Sequence, residues 1–145
     1  MRVLVVDDQA LVRDTLRSIL RSHQEVDIVG EATDGEEAIL KVAQLQPDVV
    51  IMDIVMPRLD GIAATRQIHT VSPQTPIVGL SLHAKSYEVN AMVQAGAFEV
   101  IHKERAIDDL YGAIQRAIAA PQRDVSANDT TPGAENTPSA SQTVA

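Results

Sequence analysis

Short runs of branched apolar residues alternate along the chain with segments whose apolar positions recur at helical spacing. Val3-Leu4-Val5-Val6, Val26 to Val29, Val49-Val50-Ile51-Met52, Ile77-Val78-Gly79-Leu80 and Phe98 to Ile101 are about four residues each, as strands buried on both faces should be. The first, third and fourth are expected to be fully buried. Between them Val12, Leu16, Ile19 and Leu20 fall on one helical stripe, as do Ile39, Val42 and Ala43, then Ile62, Thr65 and Ile68, and finally Ile107, Leu110, Ile114 and Ile118. The punctuation agrees. Asp34-Gly35 turns into the second helix, Pro47 and Pro76 sit just ahead of strands, and Gly96 is placed to close the fourth helix in a left-handed cap. Strand and helix alternating with short connections predict an α/β protein, a doubly wound, five-stranded parallel sheet with five helices and right-handed crossovers.

The pattern fades at Pro121. From there Ser, Thr, Ala and Asn dominate, with Pro121, Pro132 and Pro138, and Val125 and Val144 are the only branched aliphatics. Such a stretch buries too little apolar surface to offset the entropy of ordering it. One folded domain over residues 1–120 and a disordered tail or linker over 121–145 are therefore expected.

Composition narrows the function classes. With 12 Lys+Arg against 20 Asp+Glu, the formal charge of −8 argues against a sequence-independent grip on nucleic acid. The absence of cysteine removes disulfide scaffolds, thiolate metal sites and thiol nucleophiles. No apolar run approaches the length of about 20 residues that a membrane span requires, and Asp7-Asp8 follows Val3 to Val6 too soon for a signal peptide. A soluble, cytoplasmic chain is expected.

Candidate chemistry comes from position. In doubly wound sheets ligands bind outside the carboxyl ends of the strands, where the strand order reverses. Asp7 and Asp8 follow the first strand, Asp53 the third, Ser81 the fourth and Lys103 the fifth. Parallel strands would bring three carboxylates, a hydroxyl and an ammonium to one edge. Crowded carboxylates repel unless a cation neutralises them, and magnesium, which takes oxygen ligands and keeps several waters, suits such a set. Asp8 and Asp53 are the expected ligands. A strand-end carboxylate beside such an ion can attack a phosphoryl group, and Asp53 is the expected nucleophile, with Lys103 and Ser81 as donors to the phosphoryl oxygens. Taken singly these residues have blander uses. Asp7 or Asp8 could cap the next helix, Ser81 could serve a turn, and Lys103 could be a solvated charge. Their coincidence at four strand ends favours a common site. The histidines His23, His69, His83 and His102 show no metal-ligand spacing and are assigned no site, while Met52, Met56 and Met92 are read as packing.

Residues 1 to about 120 resemble the receiver domain of bacterial two-component response regulators. The resemblance rests on Leu4-Val5-Val6-Asp7-Asp8, on Asp48 through Pro57 with Asp60-Gly61, on Gly79-Leu80-Ser81, and on Gly96-Ala97 leading to His102-Lys103. It implies a flavodoxin-like strand order 2-1-3-4-5. It also implies phosphoryl transfer from a phosphohistidine of a sensor histidine kinase or phosphotransfer protein onto Asp53, with Mg2+ held by Asp7, Asp8, Asp53 and the Val55 backbone carbonyl. Ser81 and Lys103 would read the phosphoryl state and shift the face made by the fourth helix, fifth strand and fifth helix. A homodimer through the fourth or fifth helix is an expectation of the same kind. The chain would be a phosphoacceptor that catalyses its own phosphorylation and dephosphorylation rather than a conventional enzyme.

Three positions depart from the family's common pattern. Val100 stands where many receivers carry an aromatic switch, bulky Leu82 follows Ser81, and Glu104 follows Lys103 in place of proline. With Asp7 through Arg13, the last is similar to receivers joined to helix-turn-helix output domains; receivers ending hybrid sensor kinases are the other comparison. Competing classes fit less well. An aspartyl phosphatase would place a second acid at Val55, a nucleotide-binding domain would carry a Gly-rich loop after the first strand, and a DNA-binding factor would carry a basic stripe beyond residue 120.

Overall fold

The computed structural model describes residues 1–82 and 85–121. The expected tail from residue 122 onward, and His83, lie outside the described residues. The elements run β1 (Arg2–Val6), α1 (Ala10–Arg21), β2 (Asp27–Ala32), α2 (Gly35–Leu45), β3 (Val49–Asp53), α3 (Gly61–Val71), β4 (Ile77–Ser81), α4 (Ser86–Ala95), β5 (Glu99–His102) and α5 (Ala106–Ala119), with a short 3-10 turn at Lys103–Arg105. All pairings are parallel, as the alternation predicted, and the strand order is β2-β1-β3-β4-β5, as the resemblance implied.

The period of two along each strand divides the core between the two faces of the sheet. Val3, Val5, Ile51, Val78 and Leu80 pack against Leu16 and Leu20 of α1 and Leu110 and Ile114 of α5. Leu4, Val6, Val50, Met52 and Ile77 point the other way, onto Val42 of α2, Ala64 and Ile68 of α3 and Met92 of α4. β3 and β4 are buried throughout and β1 from Val3 onward, which is why they read as unbroken apolar runs.

Caps and breaks explain the helix ends. Asp34 and Asp60 accept hydrogen bonds from the N–H groups of Glu37 and Ala63 and so cap α2 and α3. Glu36, Glu37, Asp108 and Asp109 occupy first turns, where the helix dipole favours negative charge. Gly96 ends α4 with φ of 123°.

Several sequence expectations need correction. Neither Asp7 nor Asp8 caps α1; the cap position is Gln9, which makes no side-chain cap, and Asp7 Oδ1 accepts the Gln9 N–H at 2.9 Å instead. β2 extends to Ala32 across a register shift opposite Val3 and Leu4, because as an edge strand it tolerates Gly30 and Glu31. β5 begins at Glu99, leaving Phe98 partly exposed ahead of it, and Lys103 opens the turn after the strand. The stripe on α5 is rotated. Ile107 and Ile118 are 75% and 36% exposed, while Ala106, Ala113 and Ala117 join Leu110 and Ile114 against the sheet. On α2 Ala38 is buried and Ala43 is exposed. Small residues let a helix approach the sheet closely, a role that a search for large aliphatics passes over.

Candidate functional site

The strand order reverses at β1, whose neighbours are β2 and β3, and the carboxyl ends of β1 and β3 open the crevice expected of such a reversal. Asp7 leaves β1 fully buried, Asp53 ends β3 at 5% exposure, and Ser81 ends β4 buried. Asp8 is exposed at the mouth. Lys103, just past β5, reaches back across the sheet, its Nζ 2.8 Å from Asp7 Oδ2 and 3.3 Å from Asp53 Oδ1. The five predicted side chains thus share one edge. Asp8, Asp53, Val55, Ser81, Leu82 and Lys103 line a crevice of about 320 Å³. A larger groove of about 430 Å³ lies elsewhere, against Gln46, Pro76, Phe98 and Ile118, and none of the strand-end carboxylates lines it.

The chain leaving β3 must turn tightly against the strand end before it enters α3. Gly61 makes this close approach possible: its N–H donates to the Ile54 carbonyl at 2.8 Å, and a Cβ there would lie 2.0 Å from the Asp53 carbonyl oxygen. Any side chain at Gly61 would push the Asp53 backbone out of place.

The electrostatics follow from crowding. Burial first, and then the charge of Asp7, push the Asp53 carboxyl from 3.8 up to about 6, with Lys103 acting in the opposite direction. Burial also disfavours the Lys103 ammonium, but the carboxylates of Asp7 and Asp53 outweigh it and raise its pKa above the ordinary value. Asp7 Oδ2 is buried, and its partner there is the Lys103 ammonium. One oxygen from each of Asp7, Asp8 and Asp53 lies within 4.8 Å of the others. Hard carboxylate oxygens so close together fit a hard divalent cation.

Sequence reasoning missed the supports of this site. Arg13 donates from Nη1 to the Asp7 carbonyl at 2.7 Å while its Nε bonds Glu31 at 3.0 Å, and Arg17 pairs with the same Glu31. Arg58, in the loop after β3, pairs with Asp34. No local signal marks these pairings, because Glu31 and Asp34 lie at least 14 residues from the arginines that reach them. His102 is exposed and His23 stacks on Tyr111 at 3.6 Å, so neither approaches a metal-binding arrangement. Met52, Met56 and Met92 are core residues.

Known proteins give this arrangement its context. The response regulator receiver domain family matches residues 3–115, and the chain belongs to that family. It is 42% identical over 108 residues to protein-glutamate methylesterase/protein-glutamine glutaminase 5 of Myxococcus xanthus, covering 74% of this chain and 31% of that protein. It is 34% identical over 116 residues to the response regulator protein VraR of Staphylococcus aureus, covering 80% and 56% respectively. The chain therefore spans between about a third and a half of the length of these relatives. Among solved structures, the response regulator domain of Thermotoga maritima CheB superposes with a TM-score of 0.78 at 32% identity, covering 83% of this chain and 98% of that one. The protein is a receiver domain of the two-component type, and its family membership implies a role in phosphorelay signalling. Among the described residues no helix is long and apolar enough to cross a membrane.

Proposed function

We propose that this receiver accepts a phosphoryl group on Asp53 from a phosphohistidine of a sensor kinase or phosphotransfer protein. The observation that carries the reading is the burial of Asp53 between a second carboxylate and the Lys103 ammonium at the strand-order reversal. An Asp53 oxygen attacks phosphorus, the new O–P bond forms as the N–P bond breaks, and its electron pair goes to the departing imidazole nitrogen. Lys103 supplies a point charge to the arriving oxygens and Ser81 a hydroxyl. Asp7, Asp8, Asp53 and the Val55 carbonyl would hold Mg2+, which when bound neutralises the carboxylates and the phosphoryl oxygens. Movement of the Ser81 hydroxyl toward the phosphoryl group would then bias the face formed by α4, β5 and α5, the surface on which dimerisation or target binding would act.

The donor is a macromolecule. Leu11, in the first turn of α1, and Ile107, in the first turn of α5, are 77% and 75% exposed on the two helices that cover one face of the sheet. Both turns follow the carboxyl ends of β1 and β5, the edge that holds the crevice, and a docking protein would meet them there. The folded unit is taken to end near residue 120, in a cytoplasmic chain, without nucleic-acid contacts of its own.

Intact-mass measurement after incubation with magnesium and a small acyl phosphate tests the central claim. Gain of one phosphoryl group is expected in the parent and is lost in Asp53→Ala or with chelator. An adduct that persists in Asp53→Ala would move the acceptor elsewhere, and no adduct from either an acyl phosphate or a phosphohistidine donor would end the reading.

A further inference from the structure

The loop between β3 and α3, residues 54–60, carries Val55 along the crevice without a regular element to brace it. Backbone bonds secure its two ends. The Ile54 N–H donates to the Leu80 carbonyl at 3.2 Å, and the Gly61 N–H to the Ile54 carbonyl at 2.8 Å. Its middle is secured by a different corner of the molecule. The Gly35 N–H donates to the Leu59 carbonyl at 2.9 Å, and a Cβ at Gly35 would meet that oxygen at 2.5 Å.

Arg58 adds a side-chain strap at the same place. Its Nε donates to Asp34 Oδ2 at 2.7 Å and its Nη2 lies 2.5 Å from the same oxygen. The other oxygen, Oδ1, is committed to the Glu37 N–H that caps α2. Capping alone therefore accounts for only half of this buried carboxylate. Arg58 itself is 61% exposed in its side chain, so core packing does not explain its pose. It also adopts φ of 64°, a left-handed conformation uncommon outside glycine, and such strain persists where the surroundings impose it. β2 and β3 flank β1 in the sheet, so the strap ties together the corners on either side of the strand that presents Asp7.

We propose that Arg58, acting through Asp34, is a positioning residue for the phosphoacceptor site: the ion pair fixes the loop that carries Val55, whose carbonyl would join Asp7, Asp8 and Asp53 in holding the cation. The inference rests on the crevice being a magnesium site, and it assigns part of that site's affinity to an ion pair outside it. Groups that hold a ligand in place commonly set metal affinity.

Calorimetric titration with Mg2+ tests it, alongside thermal unfolding of the metal-free proteins. Arg58→Ala and Asp34→Asn are expected to weaken Mg2+ binding about tenfold. The Asn variant keeps an oxygen for the cap of α2. The double variant should bind Mg2+ no more weakly than either single one, since both remove the same contact. Arg58→Gly adopts the left-handed conformation without strain, so a loss of affinity there without a loss of thermal stability separates positioning from folding. Arg58→Lys, which retains a cation with less directional bonding, should recover part of the affinity. At saturating Mg2+ the rate of phosphorylation by an acyl phosphate should return to within about twofold of the parent in each variant. Parent-like Mg2+ affinity in both Arg58→Ala and Arg58→Gly overturns the proposal while leaving the phosphoacceptor reading intact. A parent that binds no Mg2+ at millimolar concentration removes both.

Discussion

At Asp53 the charge required for chemistry is opposed by the fold. The carboxyl titrates near 6 in the metal-free protein against an ordinary 3.8, so its ionised form is less welcome in the folded state than in the unfolded chain. The penalty sets in as pH rises through the unfolded value and is complete above the folded one, with an upper bound of about 3 kcal/mol. Asp53→Asn should therefore raise metal-free stability above pH 6 by about 1–3 kcal/mol, and the two proteins should converge toward pH 4, as urea denaturation at several pH values would reveal. Equal stabilities at pH 7.5 would mean that Lys103 already balances the site. Leu82 invites a second test. It lines the crevice beside Ser81 and is 48% exposed, placing a bulky apolar group beside the path of water to the phosphoryl group. Leu82→Ala should shorten the lifetime of phosphorylated protein several-fold, and unchanged decay of the radiolabelled adduct would reject the shielding role.

These site residues were legible because each stands at the carboxyl end of a strand, and a parallel sheet brings all such ends to one edge. Asp7, Asp53, Ser81 and Lys103 meet for that reason alone. Arg13 and Arg58 were illegible because a long side chain chooses its partner only after the fold has formed: Arg13 finds Glu31, and Arg58 finds Asp34.

Among the elements, α5 shows where periodicity misleads. Its large aliphatics lie on a stripe containing Ile107 and Ile118, but the buried side is set by three alanines with Leu110 and Ile114. Burial rather than hydrophobicity should then govern the cost of substitution. Leu110→Ala is expected to cost about 2–5 kcal/mol and Ile107→Ala less than about 0.5 kcal/mol in chemical denaturation. The exposed residue should matter elsewhere. Ile107→Ala should slow phosphotransfer from the cognate kinase while leaving the reaction with a small acyl phosphate unaltered. Equal slowing with both donors would assign Ile107 to the crevice rather than to docking. The strands were the most legible elements. Those buried on both faces carry unbroken apolar runs that match the strands to within one residue, and β5 does as well, whereas the edge strand β2, which admits Glu31, runs three residues beyond its apolar run.

At the scale of the whole molecule, the sheet separates two apolar clusters that, among the described residues, share no side chain. Leu16 of α1 belongs to one and Ile68 of α3 to the other. Residues without common partners contribute additively. The double variant Leu16→Ala with Ile68→Ala should lose stability equal to the sum of the single losses within about 0.5 kcal/mol, whereas Leu16→Ala with Leu110→Ala, inside one cluster, should deviate from its sum. Additivity failing across the sheet would show that the strands transmit strain from one side to the other. The separation also bears on how such a protein diversifies after gene duplication. A copy can drift on the helices of one side, acquiring a new acquaintance there, while the opposite side keeps its old one, and the carboxylates at the shared rim stay answerable to both.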